Sequence, residues 1–336
     1  MFITIEVVNE LPLSINPEVC GLNSNVLFEY HNNLVRLLWT DMIKLYPGVD
    51  IVYDESTDWD KVVQNTTEDI LKSLPELYNI NKVKMFYGDK CFAPNIIVLL
   101  YELEKINALL DVIKNNLSQL SKVFLGKVEM NSMLEEVSMC LYAGRVPGCW
   151  SKLSPPSVKS LPGYIEHLTK RTLQYSNWSQ IREPLVMWLS GLHSPKSYLT
   201  SLIQLACRKY GWSIEHSMFY TSVTQWTCES EVQREPDAGC YITGLYLEGA
   251  RWDMDKQCLT ECTFQNTFEK LPILAIIPIE TRLLKLPKNS ITIPVYVTSK
   301  RGNSMTDNCV FQANLNTLLH KSFWILRGVC VVMNTD

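Results

Sequence analysis

Between residues 94 and 125 the sequence places apolar side chains at Leu99, Leu103, Ile106, Leu110, Ile113, Leu117, Leu120 and Phe124. The spacing alternates between four and three, which predicts one helix with a continuous apolar seam. At about 1.5 Å per residue that helix is roughly 45 Å long. Pro94 suits its first turn and Gly126 its stop. Such a seam must lie along a core or pair with a second chain. It holds too few heptads to demand a partner, so the helix is expected to run the length of one domain.

Weaker helical patterns flank it. Leu34, Leu37, Leu38 and Ile43 form a stripe within 27–45 that Pro47-Gly48 should end. Trp59, Val63, Ile70, Leu74 and Leu77 predict another helix up to Pro75. Ser132-Met133-Leu134-Glu135 has the form of a capping box ahead of Leu134, Val137 and Leu141. Ser160 with Pro162, and Ser194 with Pro195, read as two further helix starts, the second helix closing at Gly211. Beyond about residue 215 the runs 219–226, 240–247, 291–298, 309–315 and 323–333 are rich in β-branched and aromatic residues. The expected fold class is α+β: mainly helical over the first two thirds, with a small antiparallel β-sheet or barrel in the last third.

Composition narrows the function classes. The 336 residues are 46% hydrophobic and 20% charged, with a net charge of -4, which is globular composition. That balance argues against a generic nucleic-acid binder. No apolar run reaches the length of a membrane span. Residues 1–6 show no basic-then-apolar leader pattern, so the 11 cysteines are expected as reduced thiols.

Catalytic signatures are hard to assemble. A phosphate loop needs G-x-x-x-x-G-K-[ST], but Gly126-Lys127 is preceded by Ser121 at the first glycine position and followed by Val128 at the hydroxyl position. Around Ser190 the sequence reads Trp188-Leu189-Ser190-Gly191-Leu192, without the glycines of a nucleophile elbow. Cys258 and Cys262 lack a second pair at zinc spacing, and the five histidines are scattered. Glu248, Arg251, Asp253 and Asp255 form a charged knot that lacks the glycine and closing glutamate of a calcium loop, so a salt-bridged turn is expected. Lys300-Arg301 reads as a solvated basic patch. Trp252 is expected to be a buried anchor, with Arg251 and Asp253 satisfying local polar groups.

Several stretches together resemble the carboxyl end of dynein heavy chains, the AAA+ microtubule motors. The strongest is Pro236-Asp237-Ala238-Gly239-Cys240-Tyr241-Ile242-Thr243-Gly244-Leu245-Tyr246-Leu247-Glu248-Gly249-Ala250-Arg251-Trp252-Asp253. It is similar to the family's P-x-x-G-x-Y-x-x-G-L-x-L-E-G-A-x-W-D signature. Pro294-Val295-Tyr296-Val297-Thr298-Ser299, the ending Trp324-Ile325-Leu326-Arg327-Gly328-Val329 and the upstream Trp188-Leu189-Ser190-Gly191-Leu192-His193 fit the same region. Leu11-Pro12 with Pro17-Glu18-Val19-Cys20-Gly21-Leu22 resembles the lid of the sixth AAA+ module. Cys20 stands where the family usually has an aromatic, and Cys262-Thr263-Phe264-Gln265 stands where Pro-Lys is expected. The wording of 189–193 and the ending 329–334 look most like axonemal inner-arm heavy chains.

The resemblance implies a remnant of the AAA+ lid over 1–47 and a C-terminal domain over 48–336, helical over 48–225 and β-rich over 226–336. It implies a non-catalytic structural and regulatory module that braces the AAA+ ring, with Gly244, Glu248, Gly249, Arg251, Trp252 and Asp253 as structural signature residues. No catalytic, cofactor or metal site is expected in these residues; ATP and magnesium belong to the full-length family. The implied partners are the ring modules, with intermediate chains, light chains and microtubules reached only through a full motor, and no nucleic acid or membrane. The implied location is the cytoplasm, the cytoskeleton and the ciliary axoneme. The alternative is a free-standing, truncated dynein-like interaction protein without motor activity.

Overall fold

The computed structural model describes residues 24–45, 59–157, 159–262, 267–283, 287, 289–298 and 309–334. The lid-like motif at 11–22, Pro47-Gly48, the 262–265 stretch beyond Cys262 and Lys300-Arg301 lie outside the described residues. The helices are α1 (Ser24–Leu45), α2 (Trp59–Ser73), α3 (Ile80–Tyr87), α4 (Pro94–Phe124), α5 (Ser132–Tyr142), α6 (Gly148–Ser151), α7 (Leu161–Gln180) and α8 (Pro195–Tyr210).

The long seam is α4. Its 31 residues bury Leu99, Leu103, Ile106, Leu110, Ile113, Leu117 and Leu120, and also Ile96 and Leu109 beside them. Burial therefore exceeds the width of a coiled-coil seam, because α2, α5, α7 and α8 all pack around it. Gly126 ends the helix at φ +66° and Gly211 ends α8 at φ +72°, the left-handed conformation that glycine adopts freely. The start of α5 differs from expectation by one residue: Asn131, not Ser132, is the cap, its side chain accepting from the Leu134 N–H at 2.8 Å.

The strands are β1 (Val186–Trp188), β2 (Ser217–Val223), β3 (Cys240–Thr243), β4 (Tyr246–Glu248), β5 (Arg251–Asp253), β6 (Cys258–Thr260), β7 (Phe268–Lys270), β8 (Leu274–Glu280), β9 (Ser290–Thr298), β10 (Cys309–Asn316) and β11 (Cys330–Asn334), with a helix α9 (Lys321–Leu326) before the last. One sheet has the order β1-β3-β8-β2, a second β10-β9-β11-β4-β7, and β5 and β6 form a separate hairpin. Among the described residues these are open sheets and not a barrel. They are mixed, since β1 runs parallel to β3 and β11 parallel to β9.

Two strand expectations are corrected. The run 323–333 is not one strand. His320 caps α9 by accepting from the Ser322 N–H, Trp324 is buried, and Gly328 at φ +64° reverses the backbone into β11. The run 240–247 is broken at Gly244 into β3 and β4. Helix α8 lies against β2, β8 and β10, which joins the helical part to both sheets.

Candidate functional site

The signature segment is the point where the polypeptide switches sheets. β3 belongs to the first sheet, β4 to the second and β5 to the hairpin, all within fourteen residues, 240–253. Each transfer needs a sharp turn, and Gly244 (φ +79°) and Gly249 (φ +78°) supply them from the left-handed region. Between the turns Leu245 and Leu247 are buried, and Ala250 is buried just beyond, so the segment is pinned on both sides.

The two glycines differ in their surroundings. A Cβ on Gly244 would stand 2.5 Å from Cδ1 and 2.7 Å from Nε1 of Trp188, whereas on Gly249 the nearest atom is 3.6 Å away. Gly244→Ala is therefore expected to cost about 1–3 kcal/mol from overpacking on top of its backbone strain. Gly249→Ala should carry only the backbone cost, about 1–2 kcal/mol. Urea denaturation of the two variants checks the order; an equal loss would mean that Trp188 yields freely.

Trp252 on β5 is buried, as the sequence predicts, and faces Leu259 across the hairpin. Asp253 closes the turn that follows: its Oδ1 accepts from the N–H groups of Asp255 and Lys256, each at 3.0 Å. Those backbone hydrogen bonds hold its carboxyl below the ordinary carboxylate range. Arg251 is half-exposed and reaches across to Glu269 at 3.2 Å, not into the turn. The charged knot is thus split: Asp253 organises its own loop, Arg251 points to β7, and Glu248 accepts from the Cys330 thiol of β11 at 3.3 Å.

Trp188 ties the upstream motif to the signature. Its indole is the atom group that both Gly191 and Gly244 leave room for. Its backbone N–H donates to Gln174 at 2.9 Å and its carbonyl accepts from the same side chain at 3.3 Å, which fixes β1 to α7. His167 meets the ring edge-on at 5.2 Å and the Lys170 ammonium lies 4.6 Å above it.

Sequence reading missed the most connected polar group among the described residues. Glu102 sits on α4 with a fully buried side chain. Its Oε2 accepts from the Tyr175 hydroxyl at 2.6 Å and the His193 N–H at 2.7 Å, and its Oε1 from the Ser194 N–H at 2.8 Å. It thereby caps α8, whose own Ser194 makes no side-chain cap bond. Burial alone would raise this carboxyl, but the hydrogen bonds from His193 and Tyr175 outweigh it and hold the group below its ordinary value. Glu183 is the contrast: burial pushes it up despite bonds from Tyr198 and Asn95, each 2.6 Å.

Of the groups weighed from sequence, Gly126 and His193 take structural places in the fold. Gly126-Lys127 follows the C-terminus of α4, the end of a helix dipole that repels phosphate. The Ser190 hydroxyl is buried with no hydrogen-bond partner, so no base activates it. His193 is engaged on both ring nitrogens, by Glu102 at 3.3 Å and by the Leu153 carbonyl at 3.2 Å. Among the described residues no group of three or more His, Cys, Asp or Glu side chains is placed to hold a metal ion.

Comparison with known proteins follows the same residues. The family model for the C-terminal domain of the dynein heavy chain matches residues 32–333. The sequence is 38% identical over 332 residues to human dynein axonemal heavy chain 10, covering 99% of this protein and 7% of that one. It is 37% identical over 337 residues to the dynein-1-alpha heavy chain of the flagellar inner arm I1 complex of Chlamydomonas reinhardtii, again 99% of this protein and 7% of the relative. Human dynein axonemal heavy chain 3 is 32% identical over 337 residues, 99% of this protein and 8% of that one. The 336 residues thus span less than a tenth of the length of each of these three relatives.

Proposed function

The protein belongs to the family formed by the C-terminal domain of dynein heavy chains, and from that premise we propose that it is the non-catalytic structural and regulatory module of an axonemal dynein. On this reading it holds modules of the AAA+ ring in register, while ATP hydrolysis and microtubule binding belong to other modules of the motor. Residues 1–47 are the end of the sixth module's lid and 48–336 the C-terminal domain. The signature residues Gly244, Glu248, Gly249, Arg251, Trp252 and Asp253 act by fixing three sheet elements together, not by chemistry.

The observation that carries the reading is the set of exposed apolar residues on α1. Val35, Leu37, Leu38 and Trp39 are all more than half exposed, with Trp39 at 64%. A cluster of exposed apolar residues of this kind marks a packing surface. It lies on the helix where the lid-like sequence meets the matched domain, as a seat for a neighbouring ring module would. Intermediate and light chains, and the axoneme itself, are reached through the complete motor.

The test has two parts. The purified 336-residue protein with Mg-ATP is expected to release no phosphate above buffer. In the heavy chain that holds these residues, replacing both Leu38 and Trp39 with Asp should alter microtubule gliding velocity. The same pair of changes should leave the melting temperature of the isolated protein unmoved, because both side chains are exposed. Turnover by the isolated protein, or unchanged gliding, would defeat the proposal.

A further inference from the structure

A cavity of about 530 Å³ opens where the helical part meets both sheets, between α7, the 227–230 turn, the β3–β4 junction and the end of β11. Three lysines reach it from separate elements: Lys159 ahead of α7, Lys170 on α7 and Lys270 on β7. Only two carboxylates, Glu166 and Glu229, offset them among the lining residues. Lys170 pairs with Glu229 at 3.9 Å, the long end of the ion-pair range with both side chains half-exposed, so the pair is weak, and its ammonium also lies over the face of Trp188. Burial first, then Lys159 and Arg171, hold the neighbouring His167 ring below its ordinary protonation range, against an opposing pull from Glu166.

The second observation is Ser190. It lines this cavity, is 5% exposed, and its hydroxyl has no hydrogen-bond partner. A buried hydroxyl left unpaired costs about 1–3 kcal/mol. Ser190→Ala would remove that cost, so the fold gives no reason for a hydroxyl there. A ligand that accepts its proton does.

We propose that this cavity binds the phosphate group of a small phosphorylated molecule, with Ser190 donating from the floor and Lys159, Lys170 and Lys270 supplying the countercharge. Phosphate fits the donor set, because lysine serves it as a point charge and a hydroxyl serves it as a donor. The volume lies in the range that holds small organic ligands, leaving room for the body that carries the phosphate. Occupancy would bridge α7 to β4, β7 and β11 and so stabilise the junction by mass action. This site is independent of the ring-bracing reading; either can fail alone.

The test is calorimetric titration of the full 336-residue protein at constant ionic strength with inorganic phosphate, glucose 6-phosphate and glucose. Both phosphates are expected to bind saturably and to raise the unfolding temperature, and glucose is not. Ser190→Ala and Lys270→Gln should each weaken binding by about tenfold, the loss of one hydrogen bond to a charged group. Ser190→Ala should fold at least as stably as the parent, so weakened binding there is not misfolding. Absence of saturable binding by either phosphate, or unchanged affinity in both variants, overturns the site.

Discussion

Glu102→Leu is expected to destabilise the fold by about 3–5 kcal/mol, the range for removing one partner from a buried charged network. The leucine fills the space but accepts nothing. The N–H groups of His193 and Ser194 would then be left without their acceptor inside the core, and the Tyr175 hydroxyl would keep only the longer contact to the Gly191 carbonyl at 3.2 Å. Arg171, itself buried and with its charge disfavoured by burial, would lose the attraction of that carboxylate. Glu102→Gln keeps one acceptor oxygen but turns an amide donor toward groups that also donate, so it should cost roughly 1–3 kcal/mol.

The same residue sets a pH dependence. Its folded value is lowered, so its contribution is complete above the ordinary carboxylate range and is lost as pH falls through the lowered value. The stability gap between the parent and Glu102→Gln should therefore be full at neutral pH and shrink in acid. Glu183 acts with the opposite sign. Its raised folded value means that protonation as pH falls favours the native state. Urea denaturation of parent, Glu102→Gln and Glu183→Gln across an acid-to-neutral series checks both signs. A gap for Glu102→Gln that widens in acid would refute the assignment.

Trp252→Ala is the second large effect, about 3–5 kcal/mol for emptying a buried indole site. Trp252 is 6% exposed and packs in the main core beside Leu259. Its indole N–H has no hydrogen-bond partner, which lowers what the native side chain contributes. Trp252→Phe removes that orphan donor and keeps most of the packing, so it should cost less than about 1.5 kcal/mol. The comparison separates packing from hydrogen bonding. An alanine loss well under 1 kcal/mol would mean that the hairpin does not seal the core.

The long helix was legible because its signal is local: apolar spacing over 31 residues, a proline at the start and a glycine after the end. The glycine-bounded signature was legible as a pattern, and the structure supplies its reason in two left-handed turns between three sheet elements. Glu102 was not legible. In Tyr101-Glu102-Leu103-Glu104-Lys105 it looks like part of a charged helix face, and its partners lie 73 to 92 residues away. Nothing near it in sequence distinguishes it from the exposed Glu104.

Strand β8 escaped notice for another reason. Pro278 interrupts its apolar run, and proline argues against an interior strand. In the fold β3 pairs only as far as Ile276, so Pro278 lies where β8 has one neighbour and the missing N–H is tolerated. The 323–333 run misled because its composition suits a strand while its boundary residues decide otherwise. The His320 cap and the Gly328 reversal enclose a six-residue helix, and its last four residues, 323–326, are the ones that composition alone assigns to the sheet.

The central claim is that these residues work as the carboxyl-end module of a far larger motor. An antibody against residues 236–336 and a denaturing immunoblot of the native source test it most directly. The account predicts a single band far above the mass of a 336-residue protein, co-fractionating with axonemes. A band at the size of the 336 residues alone would contradict it and leave a free-standing protein whose partner must be found.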